Sequence, residues 1–466
     1  MENTEKYGII SAQEFLRRLY AGEEIKDIKV NEDIFIDTFQ MRGNPITIKS
    51  GKFSNFQIFC TLESAKFIHL SILGGDFDCF KILEDVRINK LLIQSGIFTD
   101  FAISDAKIDY FTINGGLFEV PVIERTKLLN TTINFGNFPK FTIDNADFGT
   151  FIIKKGEFGD FTLSSGIFKI FKVLGGSFSD FVIEDGKFDE LEISNGELDI
   201  FEMHAGLFLN FRINKCKSTN CFSIEGGEFT GTFTITGEFQ NFYINGGEYS
   251  YRTCFIIGCT FNFFEISDGN FKNILQIGVE GINSMLFEDK ARFIGGIFRT
   301  LLFCGGKFKN GLMLSNNIKI QENCKFLGGE YIKPISLNAG IDVSNSIFYF
   351  NKNLLVGQIQ FSTSFAVKNT YFENNENLLP NLLFENCAIP TGTLIKINET
   401  HIENISFINS VNFGNIVFSG VKGTKNKATQ QSTLKINNSD LGKTTFIDCD
   451  FEEMELDFRV CLETIL

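Results

Sequence analysis

The chain has 466 residues, 56 of them Phe and none Trp, with a formal net charge of −14. That acidic balance argues against a basic face for nucleic acid or for an anionic membrane. It suits solubility or a basic partner.

No 18-residue apolar run offers a transmembrane helix. The start, MENTEKYGIISAQEF, lacks the basic lead and apolar core of a secretory signal. Eleven Cys, an odd number with no C-x-x-C, read as small hydrophobes in a reducing, cytoplasmic setting. Secretion stays the alternative, and only then would the sequons at Asn130, Asn398 and Asn404 matter.

Ser11 with Glu14 three residues on forms a capping box, followed by Phe15, Leu16 and Leu19 at helical spacing and Gly22 as a stop. This predicts a short amphipathic helix over 11–21, inside an N-terminal cap of residues 1–24. The cap would cover the strand edges of whatever follows.

Residues 25–310 read as a Phe/Gly solenoid. From Val86 to Lys215 the unit G-x-F-x-x-F-x-I-x-x recurs without a gap, and looser rows flank it, such as Phe53, Phe56 and Ile58. A repeat this regular means stacked units, each too small to bury its own apolar face. Position three is Phe at Phe98, Phe118, Phe158 and Phe208; position six is Phe at Phe101, Phe141, Phe161 and Phe211. Position eight is always aliphatic. Positions six and eight therefore point to one side of a strand, and positions nine and ten carry turn residues. Position one is Gly in most units, but Val86, Ala106, Thr126 and Ala146 also occur there. A β-branched residue at positive φ would be an outlier, so this position is expected to be small for lack of space rather than left-handed. Insertions at 250–258 and 275–292 are expected as loops at corners.

Halving the unit gives an inward residue at the centre of each five and a second one two places earlier, as in Gly156, Phe158, Phe161 and Leu163. Over residues 50–310 that rhythm resembles the pentapeptide-repeat family. The resemblance implies a right-handed quadrilateral parallel β-helix with four five-residue sides per coil. One departure is clear: the earlier inward position alternates Gly with Phe here, where the family keeps it small. The fold expected is all-β, a right-handed parallel β-helix or β-solenoid with a short N-terminal capping helix. At ~4.8 Å per twenty-residue coil, its length comes to about 90–100 Å.

From 311 to 466 Gly thins out, and Asn374, Asn386, Asn398 and Asn409 recur at intervals that suggest a longer-runged continuation of the same solenoid. The polar stretch 421–433 reads as a mobile loop.

Catalytic material is sparse. His69, His204 and His401 lie far apart, and no H-E-x-x-H, G-x-S-x-G or G-x-G-x-x-G is present. No catalytic, cofactor or metal site is expected. The chain reads as a non-enzymatic binding scaffold. Between Gly176 and Ala205, Asp180, Glu184, Asp185, Asp189, Glu190, Glu192, Glu197, Asp199 and Glu202 stand against Lys187 alone. One reading is a surface for a basic protein partner, in the manner of the DNA mimics known among pentapeptide-repeat proteins. The other is a solvated face that keeps a Phe-rich chain soluble. The expected partner is a protein, with no direct nucleic acid and no membrane; a homodimer through a solenoid end is also open. The alternative function is a carbohydrate-binding or polysaccharide-processing β-helix using surface carboxylates.

Overall fold

The computed structural model describes residues 7–38, 45–60, 68–279 and 285–327 without a break, and from 329 to 459 chiefly the strands. Asn374, Asn386 and Asn409, residues 424–432 of the polar stretch and the last residues, 460–466, lie outside the described residues. Asn398 closes the strand Leu394–Asn398. The chain divides into two compact units, Met1–Cys221 and Phe222–Leu466. Among the described residues no helix is long and apolar enough to cross a membrane.

In the first unit a short strand, Gly8–Ile9, precedes the helix α1, Ala12–Tyr20, whose N-cap hydroxyl at Ser11 accepts from the Glu14 N–H. Glu14 also takes the Arg17 and Arg18 guanidiniums, Arg17 most strongly, and they hold its carboxyl down at about 2. Phe15 and Leu19 are buried. The Phe15 ring meets Phe53 and Phe56 edge-on at 5.7 and 6.0 Å, so the helix covers the first aromatic rows.

Behind α1 the unit is a parallel β-solenoid. From Arg87 to Met203 each decapeptide makes one strand, and each strand pairs with the strand twenty residues on: Phe98 with Phe118, Phe138 with Phe158, Phe158 with Phe178. The decapeptides between them form a second series, with Phe148 beside Phe168 and Phe168 beside Phe188. Two strands therefore make a coil. Within each repeat the third and sixth residues are both buried, with two residues between them, so the strand bends midway.

The core is a column of rings. Phe98 stacks on Phe118 at 4.6 Å and 6°, and Phe168 on Phe188 at 4.8 Å and 4°. Within a strand the rings meet edge to face, at 86° for Phe98 and Phe101 and 88° for Phe168 and Phe171. Both arrangements suit the ring quadrupole. One coil carries no ring at position six on either side, with Pro121 and Thr131 there. The next ring, Phe141, lies only 18° from the plane of Phe138, and Phe181 lies 27° from that of Phe178, whereas Phe148 and Phe151 cross at 90°. The Thr131 hydroxyl is buried without a partner.

The corners correct one expectation. Where position one is Gly, φ is positive, 141° at Gly96 and 121° at Gly116. Space is short as well: a Cβ on Gly96 would come within 2.9 Å of both the Gly75 carbonyl oxygen and the Phe98 ring. Where position one carries a side chain, positive φ moves back one residue, to Asp85, Asp105, Arg125 and Asn145. Position three loses its ring in three of these four, at Ile88, Ile108 and Leu128, whereas Phe148 follows Ala146. Gly196 follows this second form, with the positive φ at Asn195 and Leu198 in place of a ring.

The second unit, Phe222–Leu466, keeps parallel pairing with longer coils. Phe242 pairs with Phe264, 22 residues on, and Ile405 with Leu434, 29 on. Its ladder runs through Phe229, Tyr249 and Phe271 at 4.7 and 4.2 Å, and the buried Tyr249 hydroxyl donates to the Gly246 carbonyl. Residues 253–258 and 275–278, expected in corner loops, lie inside one strand, Thr253–Gly278. The extra length is taken up by bulges: the pair Ile235 and Ile256 is followed by Gly237 and Cys259.

Candidate functional site

Because two decapeptides make a coil, odd and even repeats lie on different sides of the first unit. One side comprises Asp76–Ile82, Ile97–Ser104, Leu117–Glu124, Asn137–Asp144, Glu157–Leu163, Gly176–Ile183 and Gly196–Met203. The other comprises Arg87–Ile93, Lys107–Ile113, Lys127–Ile133, Ala146–Ile153, Gly166–Val173 and Lys187–Ser194. Their charges differ in sign. The repeats of the first side from 96 to 205 carry thirteen carboxylates against Arg125 and Lys140. Those of the second side from 86 to 215 carry eleven Lys or Arg against five carboxylates. The net charge of −14 hides a basic side.

On the acidic side the charges stack in columns. Asp160 pairs in register with Asp180, Glu157 with Ser177 and Ser177 with Glu197. Partial burial raises the Asp180 pKa, and the neighbouring Asp160 and Asp199 carboxylates raise it further. Asp199 accepts a 2.7 Å hydrogen bond from the Thr219 hydroxyl. Ala102, Val122, Thr142, Thr162 and Val182 form one outward column, as their spacing predicts, and Glu202 extends it.

The nine carboxylates singled out in the sequence divide between the sides. Asp180, Glu197, Asp199 and Glu202 lie on acidic-side strands. Glu184 and Asp185 follow at the corner, where Asp185 accepts from the Gly186 N–H at 2.7 Å. Asp189, Glu190 and Glu192 lie on the basic side. There the Lys172 ammonium sits 2.9 Å from Glu190 and 3.4 Å from Glu192, and Ser194 donates to Glu192. Hydrogen bonding to Glu190 is the main cause of a raised Lys172 pKa.

A shallow groove of about 750 Å³ follows the corner that leads onto the acidic side. Glycines including Gly136, Gly156 and Gly176 form its floor, and Phe135, Lys155, Leu174, Glu157 and Glu197 flank it. Phe135 is 57% exposed, and its ring lies over Gly115, where a Cβ would come within 2.5 Å of it. Sequence reading missed both groove and basic side. Sorting odd from even repeats would have separated the charges.

Among the described residues no group of three His, Cys, Asp or Glu side chains could hold a metal ion. His69 and His204 are exposed, with Glu202 3.7 Å from the latter; the His401 side chain is outside the described set. Burial pushes the Cys216 thiol up to about 11 and Cys254 to about 12, so neither supplies a thiolate at neutral pH. No known family model, curated protein or solved structure matches the chain.

Proposed function

We propose that the chain is a binding scaffold whose acidic side engages a basic protein partner. The observation that carries this reading is the sorting of charge by side, since a merely soluble surface needs no such sorting. Charge density supports it further. The last two acidic repeats hold three carboxylates each: Asp180, Glu184 and Asp185, then Glu197, Asp199 and Glu202. With ~4.8 Å between coils, that is about one charge per 1.6 Å of axis, close to the ~1.7 Å of duplex DNA. A protein shaped to grip a polyanion would meet a similar field here. The pentapeptide-like rhythm points the same way, because DNA mimics occur in that family.

The test is fluorescence anisotropy of a labelled Lys/Arg-rich peptide over a salt series. Glu157→Gln, Asp180→Asn, Glu197→Gln and Glu202→Gln together should weaken binding at least tenfold. Asp189→Asn, Glu190→Gln and Glu192→Gln, on the other side, should leave it within about twofold. Equal losses from the two sets would overturn the assignment.

A carbohydrate-binding groove is the second reading, favoured by the exposed Phe135 ring between Lys155, Glu157 and Glu197. A polysaccharide panel with Phe135→Ala as control separates the two. Binding or turnover that depends on Phe135 supports the groove.

A further inference from the structure

We infer that the first unit associates laterally with a second copy of this chain, acidic side onto basic side. This goes beyond the reading above: it gives the same carboxylates another occupant, one that competes with a basic partner.

Four observations carry it. First, the two sides are complementary in sign, with Glu157, Asp160, Asp180 and Glu197 on one and Lys90, Lys127 and Lys169 exposed on the other. Second, the sides belong to the same coils, so their charge columns share one pitch. A copy shifted sideways presents cations at the spacing of the carboxylates, whereas an unrelated surface must match that spacing by coincidence. Third, the area is adequate. Seven strands about 4.8 Å apart and roughly 25 Å long cover on the order of 800 Å², the usual contribution of one partner to a specific interface. Fourth, the basic side leaves large apolar side chains in water, Tyr110, Leu129, Ile167 and Leu209, and docking would cover them against a flat column of Thr and Val. Because the two surfaces differ, the contact is heterologous and does not close on itself. Association should run past the dimer.

Sedimentation velocity of the full chain tests this at ~0.1 M and ~1 M salt, between which the screening length falls from about 10 Å to about 3 Å. At the lower salt the wild type should form species larger than a dimer, dissolving at the higher salt or on adding a Lys/Arg-rich peptide. An acidic-side variant (Glu157→Gln, Asp160→Asn, Asp180→Asn, Glu197→Gln) should be monomeric. So should a basic-side variant (Lys90→Gln, Lys127→Gln, Lys169→Gln). Mixed in equal amounts, the two should stop at the dimer, since each retains one working side. Circular dichroism verifies that both keep the strand fold; if either loses it, single substitutions at Asp160 and Lys127 repeat the measurement. A wild type that stays monomeric at the lower salt overturns the inference. Binding of that monomer to phosphatidylserine vesicles through Lys90, Lys127 and Lys169 would assign the basic side to a lipid surface instead. Peptide binding without self-association would leave the acidic-side reading standing and remove only this one.

Discussion

Asp180 stands one coil beyond Asp160 in the same outward column of the acidic side, like charge over like charge. Partial burial and its carboxylate neighbours raise the folded-state pKa of Asp180. A carboxyl with a raised folded pKa adds stability below its unfolded pKa, and that contribution is lost as pH rises through the folded value. At neutral pH the charge therefore costs stability. Asp180→Asn should raise the unfolding free energy at pH 7 by on the order of 0.5 kcal/mol, the scale of exposed charge effects. The gain should vanish below the ordinary carboxyl range. Thermal melts at both pH values check the sign.

Phe161 and Thr162 are neighbours that face opposite ways, one fully buried and one half-buried on the outer surface. Phe161→Ala opens a cavity in the ring column and should cost about 3–5 kcal/mol. Thr162→Ala should cost well under 1 kcal/mol. Urea midpoints distinguish them, and equal shifts would mean the facing is misassigned.

Two corner glycines should respond differently to one added methyl. Gly116 sits at φ 121°, where a Cβ would lie 2.8 Å from the Gly96 carbonyl oxygen. Gly116→Ala should therefore destabilise by ~1–3 kcal/mol. Gly196 has ordinary φ and no atom closer than 3.6 Å to a built Cβ. Gly196→Ala should be neutral or stabilise by up to ~1 kcal/mol, through the entropy of the unfolded chain. Denaturant titration of the pair provides the comparison.

The buried Thr131 hydroxyl forms no hydrogen bond, and leaving such a group unsatisfied costs about 1–3 kcal/mol. Thr131→Val keeps the shape and removes the oxygen. It should raise stability by about 1 kcal/mol in the same titration, and a loss would point to a partner for that oxygen.

The inward rows at Phe158, Phe161 and Leu163 were legible in the sequence because period-two alternation and the decapeptide repeat report the same facing. The capping box at Ser11 likewise located the helix to within a residue at each end. Corner geometry was not legible, because the site of positive φ shifts by one residue between repeats that the decapeptide pattern treats as alike. Val86, Ala106 and Thr126 pass it back to Asp85, Asp105 and Arg125, and treating position one as uniform conceals the exchange. The candidate site was half legible. Reading carboxylates along the chain put Asp180 and Glu190 in one cluster, although successive repeats carry them to different sides.

The alternation of sides also bears on how such a gene can change. Ten residues carry the core rhythm, since most decapeptides offer rings at positions three and six and an aliphatic at position eight. An insertion or loss of ten would therefore keep that rhythm, yet carry each later acidic repeat to the basic side and each basic one to the acidic side. Duplication by twenty preserves both. Heredity in this chain has a longer word than packing does, and a copying error of half that word would keep the core rhythm while erasing the surface.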